Sequence, residues 1–411
     1  MIKPKTEDDW EALSFEISQL FDGAPIDEAD LFAGRLTEIR RILEAVLSKS
    51  THVVLYGERG VGKTSLSNIF WKRFGSTLQS FLVARVQANP RDSFHTLWYR
   101  ALDELKASAK MREKPEYVPY EIDPGFALSP TDVRRCLSTC SPNAIPIIII
   151  DEFNEIDDGG ARLLTANLIK EMYDYGLAPT ILLVGVAENI SELLEDHKSI
   201  GRALIQIPLR RMGEAELKEI IDKRISRTAM NFDGDSKWTI ITLSRGLPFF
   251  TQTLSKYAAL SAIKRRRLTV DTTDVDAAMD RFIEYSEVTF KDAYRDATRS
   301  NQANFFKESL LACALAINDD GWFSANDVLA PYSAIMKARK TISHYEKHLA
   351  RFSSSEGGNI LHKRGGERQQ QFRFADPMMQ PYVIIRGIQT KMIDEQARTT
   401  LLQRKEPTLP I

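Results

Sequence analysis

The eight residues Gly57-Glu58-Arg59-Gly60-Val61-Gly62-Lys63-Thr64 constrain this chain more than any other stretch, because they fit G-x-x-x-x-G-K-[ST] in full. Ahead of them stands Thr51-His52-Val53-Val54-Leu55-Tyr56, which reads as a short buried strand, and behind them a helical pattern runs over 64–73. Glycines at these positions let successive backbone N–H groups turn inward around phosphate oxygens, and the helix amino terminus adds its partial positive charge. Lys63 brings a full charge to the β and γ phosphates, and the Thr64 hydroxyl is the expected ligand for Mg2+. The expected phosphate-binding segment is thus 57–64, with Ser65 continuing it into the helix.

A second signal lies at Ile147-Ile148-Ile149-Ile150-Asp151-Glu152, an apolar run that ends in two acids. Read as a strand, it delivers both carboxylates to the carboxyl edge of a sheet, where ligands bind in open α/β folds. Asp151 is then the expected second holder of the metal shell, and Glu152 the group that takes a proton from, or orients, an attacking water. An acidic pair also serves simply to end a strand and cap the next helix.

Further strands are expected at 81–86, 145–150, 181–186 and 203–207, separated by helical stretches near 92–107, 161–173 and 190–198. Alternation of this kind predicts an α/β domain with a parallel three-layer sheet. The proline-rich stretch from Ser108 to Pro130 reads as a surface excursion. From Glu214 onward the strand signals vanish, and helices are expected near 214–228, 236–244, 249–266 and 273–290, the last with a capping box of Thr273 and Asp276. The run Lys264-Arg265-Arg266-Arg267 reads as a solvated helix end.

Length and composition agree with several folded domains. The chain has 411 residues, 43% hydrophobic and 27% charged, which excludes wholesale disorder. Its formal charge of -1 announces no partner by a whole-molecule field. Three cysteines, Cys136, Cys140 and Cys313, supply neither a disulfide framework nor four zinc ligands, so a reducing cytosol is the expected setting. No apolar run approaches the roughly 20 residues that span a bilayer, so no membrane partner is expected.

Because the acids stand on a strand separate from the phosphate-loop strand, the pattern resembles the branch of P-loop ATPases that contains the AAA+ and STAND proteins. The resemblance covers about residues 30–290 and implies ATP as the nucleotide, with Mg2+, and a homo-oligomer formed through the ATPase domain. Phe32-Ala33-Gly34-Arg35 with Glu38 is similar to the short motif that lies beside the adenine in those families, which makes Arg35 a nucleotide-binding expectation. Ala187-Glu188-Asn189, after the strand 181–186, resembles the sensor 1 region, with Asn189 the expected sensor and Glu188 the alternative. Ser199-Ile200-Gly201-Arg202 stands where related ATPases place an arginine that reaches a neighbouring subunit's nucleotide, with Arg210 and Arg211 as substitutes for Arg202. Ser244-Arg245-Gly246-Leu247-Pro248 looks like the Gly-x-Pro element of STAND ATPases, which implies nucleotide proximity for Pro248 and a sensor 2 role for Arg245.

The resemblance weakens beyond residue 290. There, helices near 303–317, 325–330 and 336–352, followed by two short strands around Gly365-Gly366-Glu367, give the order of a winged helix-turn-helix domain. The expected organisation is a 1–29 helical extension, a 30–212 ATPase core, a 213–290 helical lid and a 291–411 winged-helix-like domain. Residues 291–411 hold 18 Lys and Arg against 13 Asp and Glu. Lys337, Arg339, Lys340, Lys347, Lys363, Arg364 and Arg368 are the expected duplex DNA contacts on a recognition helix and wing. The same domain equally serves as a nucleotide-controlled lever or a surface for a partner effector protein. Expectations of function divide likewise between an ATP-driven switch in a prokaryotic defence or mobile-element setting and an initiator-like or transposition-regulator-like DNA-binding ATPase.

Overall fold

The computed structural model describes all residues except 1–2, 23–27, 73–80, 122–124, 188–199, 301–303, 317–320, 367–368 and 394–411. The chain folds into two compact units, one of Pro25–Arg210 and one of Met1–Ala24 together with Arg211–Ile411. It opens with α1 (Glu7–Leu20), whose first turn is closed by a reciprocal cap. The Thr6 hydroxyl accepts the Asp9 N–H, and the Asp9 carboxylate accepts the Thr6 N–H.

The unit of Pro25–Arg210 runs α2 (Leu36–Leu47), β1 (His52–Gly57), α3 (Lys63–Ile69), β2 (Phe81–Gln87), α4 (Phe94–Met111), α5 (Pro130–Ser138), β3 (Ile145–Asp151), α6 (Gly159–Asp174), β4 (Thr180–Val186) and β5 (Leu204–Pro208). The strands form one sheet in the order β2-β3-β4-β1-β5, every pairing parallel. Strand β4 therefore separates the acid-bearing β3 from the phosphate-loop strand β1. Ile147 to Ile150 are wholly buried, as a strand covered by helices on both faces requires. On one face α4 and α6 are joined by the indole N–H of Trp98, which donates to the Thr165 hydroxyl at 3.3 Å.

One helix of this unit was not anticipated. The excursion ends in α5, which begins at Pro130 behind Ser129, whose hydroxyl accepts the Asp132 N–H at 3.3 Å while Asp132 accepts in return. The Ser-Pro-Thr-Asp start signal stood in the sequence, but the helix is only nine residues long and buries just Val133 and Leu137. The helical pattern expected over 190–198 lies outside the described residues.

In the other unit, α7 (Glu214–Ile225), α8 (Gly234–Ser244), α9 (Pro248–Lys264) and α10 (Thr272–Tyr285) form a helical bundle onto which α1 packs. The fully buried Arg224 ties the pieces together, donating to the carbonyls of Leu20 at 2.9 Å and Ile220 at 3.2 Å and to the Gln252 amide oxygen at 3.2 Å. Strand signals do not vanish entirely here: Asn231–Phe232 and Thr269–Val270 pair in parallel over two residues each. The cap of α10 also sits earlier than the spacing predicts. Asp271 is the N-cap and exchanges hydrogen bonds with Asp274, and the two acids also receive Arg265 and Arg267. Arg265 reaches Asp274 at 3.2 Å, Arg267 reaches Asp271 and Asp274 at 2.5 Å each, and Arg266 pairs with Glu7 of α1. The three arginines of the run are paired inside their own unit.

The pattern expected as one helix over 273–290 is two, α10 and then α11 (Val288–Thr298). There follow α12 (Phe306–Ala316), the short strand Phe323–Ser324, α13 (Ala325–Ile335), α14 (Glu346–Phe352), the hairpin Leu361–Arg364 with Gln371–Phe374, and α15 (Met379–Gln389). The hairpin is antiparallel and its second strand also pairs with Phe323–Ser324. Three helices and three strands thus follow one another in this part, with the hairpin after the third helix. Of the apolar residues here, which the sequence pattern offers as a core, Leu310, Leu311, Tyr345, Leu349 and Phe352 are buried, whereas Phe305 is 50% exposed and Ile335 only half-buried.

Two boundaries differ from the periodicity. Helix α13 runs on to Ile335 rather than 330, and the helix expected over 336–352 forms only from Glu346. Lys337 takes a left-handed φ of 50, which stops α13, and the Lys340 N–H turns back to the Ser333 hydroxyl at 3.2 Å. Lys337, Arg339 and Lys340 thus lie on a turn, with Lys347 alone of that group on the helix. Helix α15 docks within the unit against α10 and α12: Tyr382 enters an aromatic cluster with Phe282, Phe290 and Tyr294, and Gly387 lets the Leu311 methyls approach where a Cβ would stand 2.7 Å away.

Candidate nucleotide-binding site

The site is built where β1 turns into α3. The left-handed φ values of Gly60 (84) and Gly62 (94) curl the loop, and Gly62 is the N-cap of α3. Gly57 is required by packing as well, since a Cβ there would stand 2.3 Å from the Leu209 carbonyl oxygen. Lys63 is buried, and its Nζ donates to the carbonyls of Gly57 at 2.9 Å and Glu58 at 2.7 Å. Burial pushes this ammonium down to about 8, against the opposing pull of the Asp151, Glu58 and Glu152 carboxylates. A desolvated lysine acted on by carboxylates and lying against a glycine-curled loop is suited to receive a phosphate.

Arg35 braces the loop from outside. It occupies the N-cap position of α2 with a left-handed φ of 59 and is only 5% exposed. Its guanidinium donates to the Val61 carbonyl at 3.4 Å and to the Arg210 carbonyl, and lies 3.5 Å from Glu38. This arginine thus contacts a carbonyl of the loop and a carbonyl of the chain after β5.

The acids stand at the carboxyl end of β3. Asp151 is buried, its Oδ1 accepting the Glu152 N–H at 3.0 Å and its Oδ2 pairing with Arg85 of β2 at 2.8 Å. Glu152 is held in a left-handed turn with φ 55, a conformation that costs a non-glycine residue about 1 kcal/mol and so marks an imposed direction. Its Oε2 accepts from the Gln87 amide at 2.5 Å. Two residues on, the Asn154 side-chain oxygen accepts the Val186 N–H at 2.7 Å and joins the ends of β3 and β4. Arg85, Gln87 and Asn154 were not anticipated. The available signal was the alternation Val83, Arg85, Gln87, a polar pair at the carboxyl end of a buried strand.

The chemistry of the donor set fits a nucleoside triphosphate with magnesium. Thr64 and Asp151 offer the hard oxygen atoms that Mg2+ takes, and Lys63 with the loop amides offers donors to phosphate oxygens. The remaining expectations divide. Asn189 and Glu188 lie outside the described residues, as does Arg368. Arg202 is exposed and makes no hydrogen bond or ion pair among the described residues, and Arg210 is exposed. Arg211 is committed within the helical unit, donating to the Arg245 carbonyl at 3.2 Å and to the Gln380 side chain of α15. Arg245 and Pro248 belong to that unit too. Arg245 ends α8 in a left-handed turn, and Gly246 follows where a Cβ would meet the Arg211 Cβ at 2.6 Å; Pro248 is buried at the start of α9.

Among the wing residues, Lys363 is exposed. Arg364, expected to meet DNA, is engaged: it lies 3.8 Å over the Trp322 ring with Arg373 at 4.8 Å, and its Nε and Nη2 donate to Gln371 at 3.0 and 2.8 Å. Arg351 of α14 is likewise held by Glu356 and the Phe306 ring.

A parallel five-stranded sheet with a glycine-rich loop before a buried lysine and an acid pair one strand beyond the neighbour defines a P-loop nucleoside triphosphatase. Residues 24–277 match the family model nSTAND1, Novel STAND NTPase 1. The chain belongs to that family of STAND nucleoside triphosphatases. No curated protein matches it. Solved structures similar to it include the Aeropyrum pernix ORC2 protein in ADPNP-ADP complexes, with a TM-score of 0.49, 17% identity and coverage of 91% of this chain and 98% of that one. Cdc6p from Pyrobaculum aerophilum follows at 0.48, 13%, 91% and 98%, and the Aeropyrum pernix ORC1 protein in complex with DNA at 0.48, 16%, 91% and 97%. No helix among the described residues is long and apolar enough to cross a membrane.

Proposed function

We propose that this chain is an ATP-dependent switch: it binds ATP at the 57–64 loop, hydrolyses it slowly, and couples nucleotide state to assembly with further copies and to a partner. The observation that carries the reading is the pairing of a desolvated Lys63, held on the Gly57 and Glu58 carbonyls, with the Asp151 and Glu152 carboxylates that act on it. Lys63 exchanges those carbonyls for phosphate oxygens, and Glu152 orients the attacking water and accepts its proton. Bound Mg2+ supplies neutralisation of the phosphate charge, with Thr64 and Asp151 as its holders. In the resting arrangement Arg85 and Gln87 occupy both acids, which favours low turnover until a partner or neighbour releases them. Arg202, exposed and unengaged among the described residues, is suited to reach a neighbour's nucleotide. The organisation into an ATPase core of 30–212, a lid of 213–290 and a winged-helix-like part of 291–411 belongs to the same proposal.

A DNA-coupled reading draws on the exposed Lys337, Arg339, Lys347 and Lys363 of the winged-helix-like fold, with Arg364 serving to hold the wing rather than to meet phosphates. One experiment addresses both. ATP turnover is measured over a protein concentration series with and without duplex DNA, with Lys63→Ala as the blank. Turnover above the blank supports the ATPase, and its rise with concentration supports assembly. Stimulation by duplex supports the DNA-coupled form, and indifference to it supports a protein trigger. Equal ATP binding by wild type and Lys63→Ala would overturn the site.

A further inference from the structure

Within the helical unit, α10, α11, α12 and α15 leave a cleft of about 780 Å³. Its wall carries Lys291, Arg295, Arg299, Lys307 and Arg386 against a single carboxylate, Glu284. Arg295 is matched by Asp292 at 2.9 Å and Asp296 at 3.7 Å, neither of which lines the cleft. For the other four, no carboxylate lies within ion-pair distance among the described residues. Lys291 donates to the Glu284 backbone carbonyl at 2.7 Å and Arg386 to the neutral Gln389 amide at 3.1 Å, while Arg299 and Lys307 are exposed. The cleft also holds Tyr294 and Tyr382, and Arg386 is close enough for its charge to act on both hydroxyls. Glu308 acts on Tyr294 as well, from α12, but does not line the cleft.

Four like charges on one concave surface repel one another in surroundings that screen them less than bulk water does, and a multivalent anion relieves that repulsion most. We propose that this cleft binds a compact polyphosphate group, inorganic or borne by a nucleotide, at a site independent of the 57–64 loop. A recess among four helices suits a compact anion better than the convex backbone of a duplex. Lysine and arginine at its rim supply charge-assisted hydrogen bonds, and the tyrosine hydroxyls supply directional ones.

The test is a calorimetric titration of inorganic pyrophosphate into the full chain carrying Lys63→Ala, and into the same chain also carrying Arg299→Ala and Lys307→Ala. Saturable binding that added salt weakens, and that the double change weakens by at least about tenfold, is expected from the loss of two charge-assisted contacts. ATP titrated into the Lys63→Ala chain separates the sources, since tighter binding than pyrophosphate assigns the site to a nucleotide. With Lys63 intact, pyrophosphate should show one binding event more than in the Arg299→Ala, Lys307→Ala chain, and that chain should bind ATP at the loop as wild type does. Absence of pyrophosphate binding in the Lys63→Ala chain, or binding unaffected by the double change, overturns the proposal. So does a double change that lowers only duplex DNA affinity, which would make the surface a nucleic-acid contact instead. Because the decisive readings use a chain without a working phosphate loop, failure here is distinct from failure of the ATPase reading.

Discussion

The Gln87 amide donates to the Glu152 carboxylate at 2.5 Å across the adjacent ends of β2 and β3. A carboxylate oxygen that already accepts an amide N–H has that lone-pair direction taken and is less free to accept from an attacking water. Under the proposed function, Gln87→Ala frees Glu152 and raises basal ATP turnover by about 3- to 10-fold, the range that an ordinary net hydrogen bond of about 0.5–1.5 kcal/mol corresponds to. Steady-state turnover at saturating ATP checks this, and a decrease would show that Gln87 positions Glu152 productively.

Lys63 makes nucleotide affinity depend on pH. Its ammonium titrates near pH 8 in the free protein, and a phosphate beside it favours the charged form, so its pKa is higher in the complex. Binding therefore takes up a proton above pH 8. Affinity is expected to hold level up to about pH 8 and then to fall by as much as about tenfold per unit. Titrations in buffers of different ionisation enthalpy at pH 9 measure the uptake directly.

His52 governs acid stability. It is buried at the start of β1, its Nδ1 accepts the Ile181 N–H at 3.1 Å, and burial pushes its pKa down to about 3. The folded state holds it neutral, while the unfolded chain protonates it below pH 6.5, so the stabilisation is complete above pH 6.5 and is lost as pH falls from there toward 3. His52→Asn retains an acceptor and does not titrate. Between pH 7 and 5 the wild type should lose about 2 kcal/mol more than this variant, read from urea midpoints of the sheet unit.

Under the proposed function, Arg202→Ala keeps ATP affinity and loses turnover by a factor of about 10³, the effect of removing a charge supplied to the transition state by a neighbouring subunit. Mixing Arg202→Ala with Glu152→Gln should restore part of the activity, because one copy brings the arginine and the other an intact acid pair. Activity of Arg202→Ala equal to wild type at every protein concentration would remove the trans role.

The phosphate loop and the acid pair were legible because each is a contiguous signal: strand, glycine-rich turn and helix follow one another from His52 to Ile69, and the isoleucine run ends directly in Asp151 and Glu152. Their chemistry depends on local backbone and on neighbours in sequence. The short α5 was hidden for a different reason, since nine residues with two buried positions carry too little periodicity to stand out. The break at Lys337 was likewise invisible to a periodicity that continues across it, because a single left-handed residue changes the path of the chain without changing the spacing of apolar side chains.

By itself the sequence determined that a βα phosphate loop forms, that an acidic strand accompanies it, and that helices and a short hairpin follow. Only tertiary structure decided what holds those parts. Strand order and register brought Arg85 to Asp151 and Gln87 to Glu152. Folding of α1 and α10 onto one bundle paired Arg265, Arg266 and Arg267 of the basic run with acids, and packing on Trp322 engaged the guanidinium of Arg364 while leaving the residue exposed. The physical reason is common to all three: whether the partner stands near in sequence, as Asp271 does to Arg267, or far away, as Glu152 does to Gln87 and Glu7 to Arg266, a charge or donor has no fixed role until the fold determines which opposite group lies beside it.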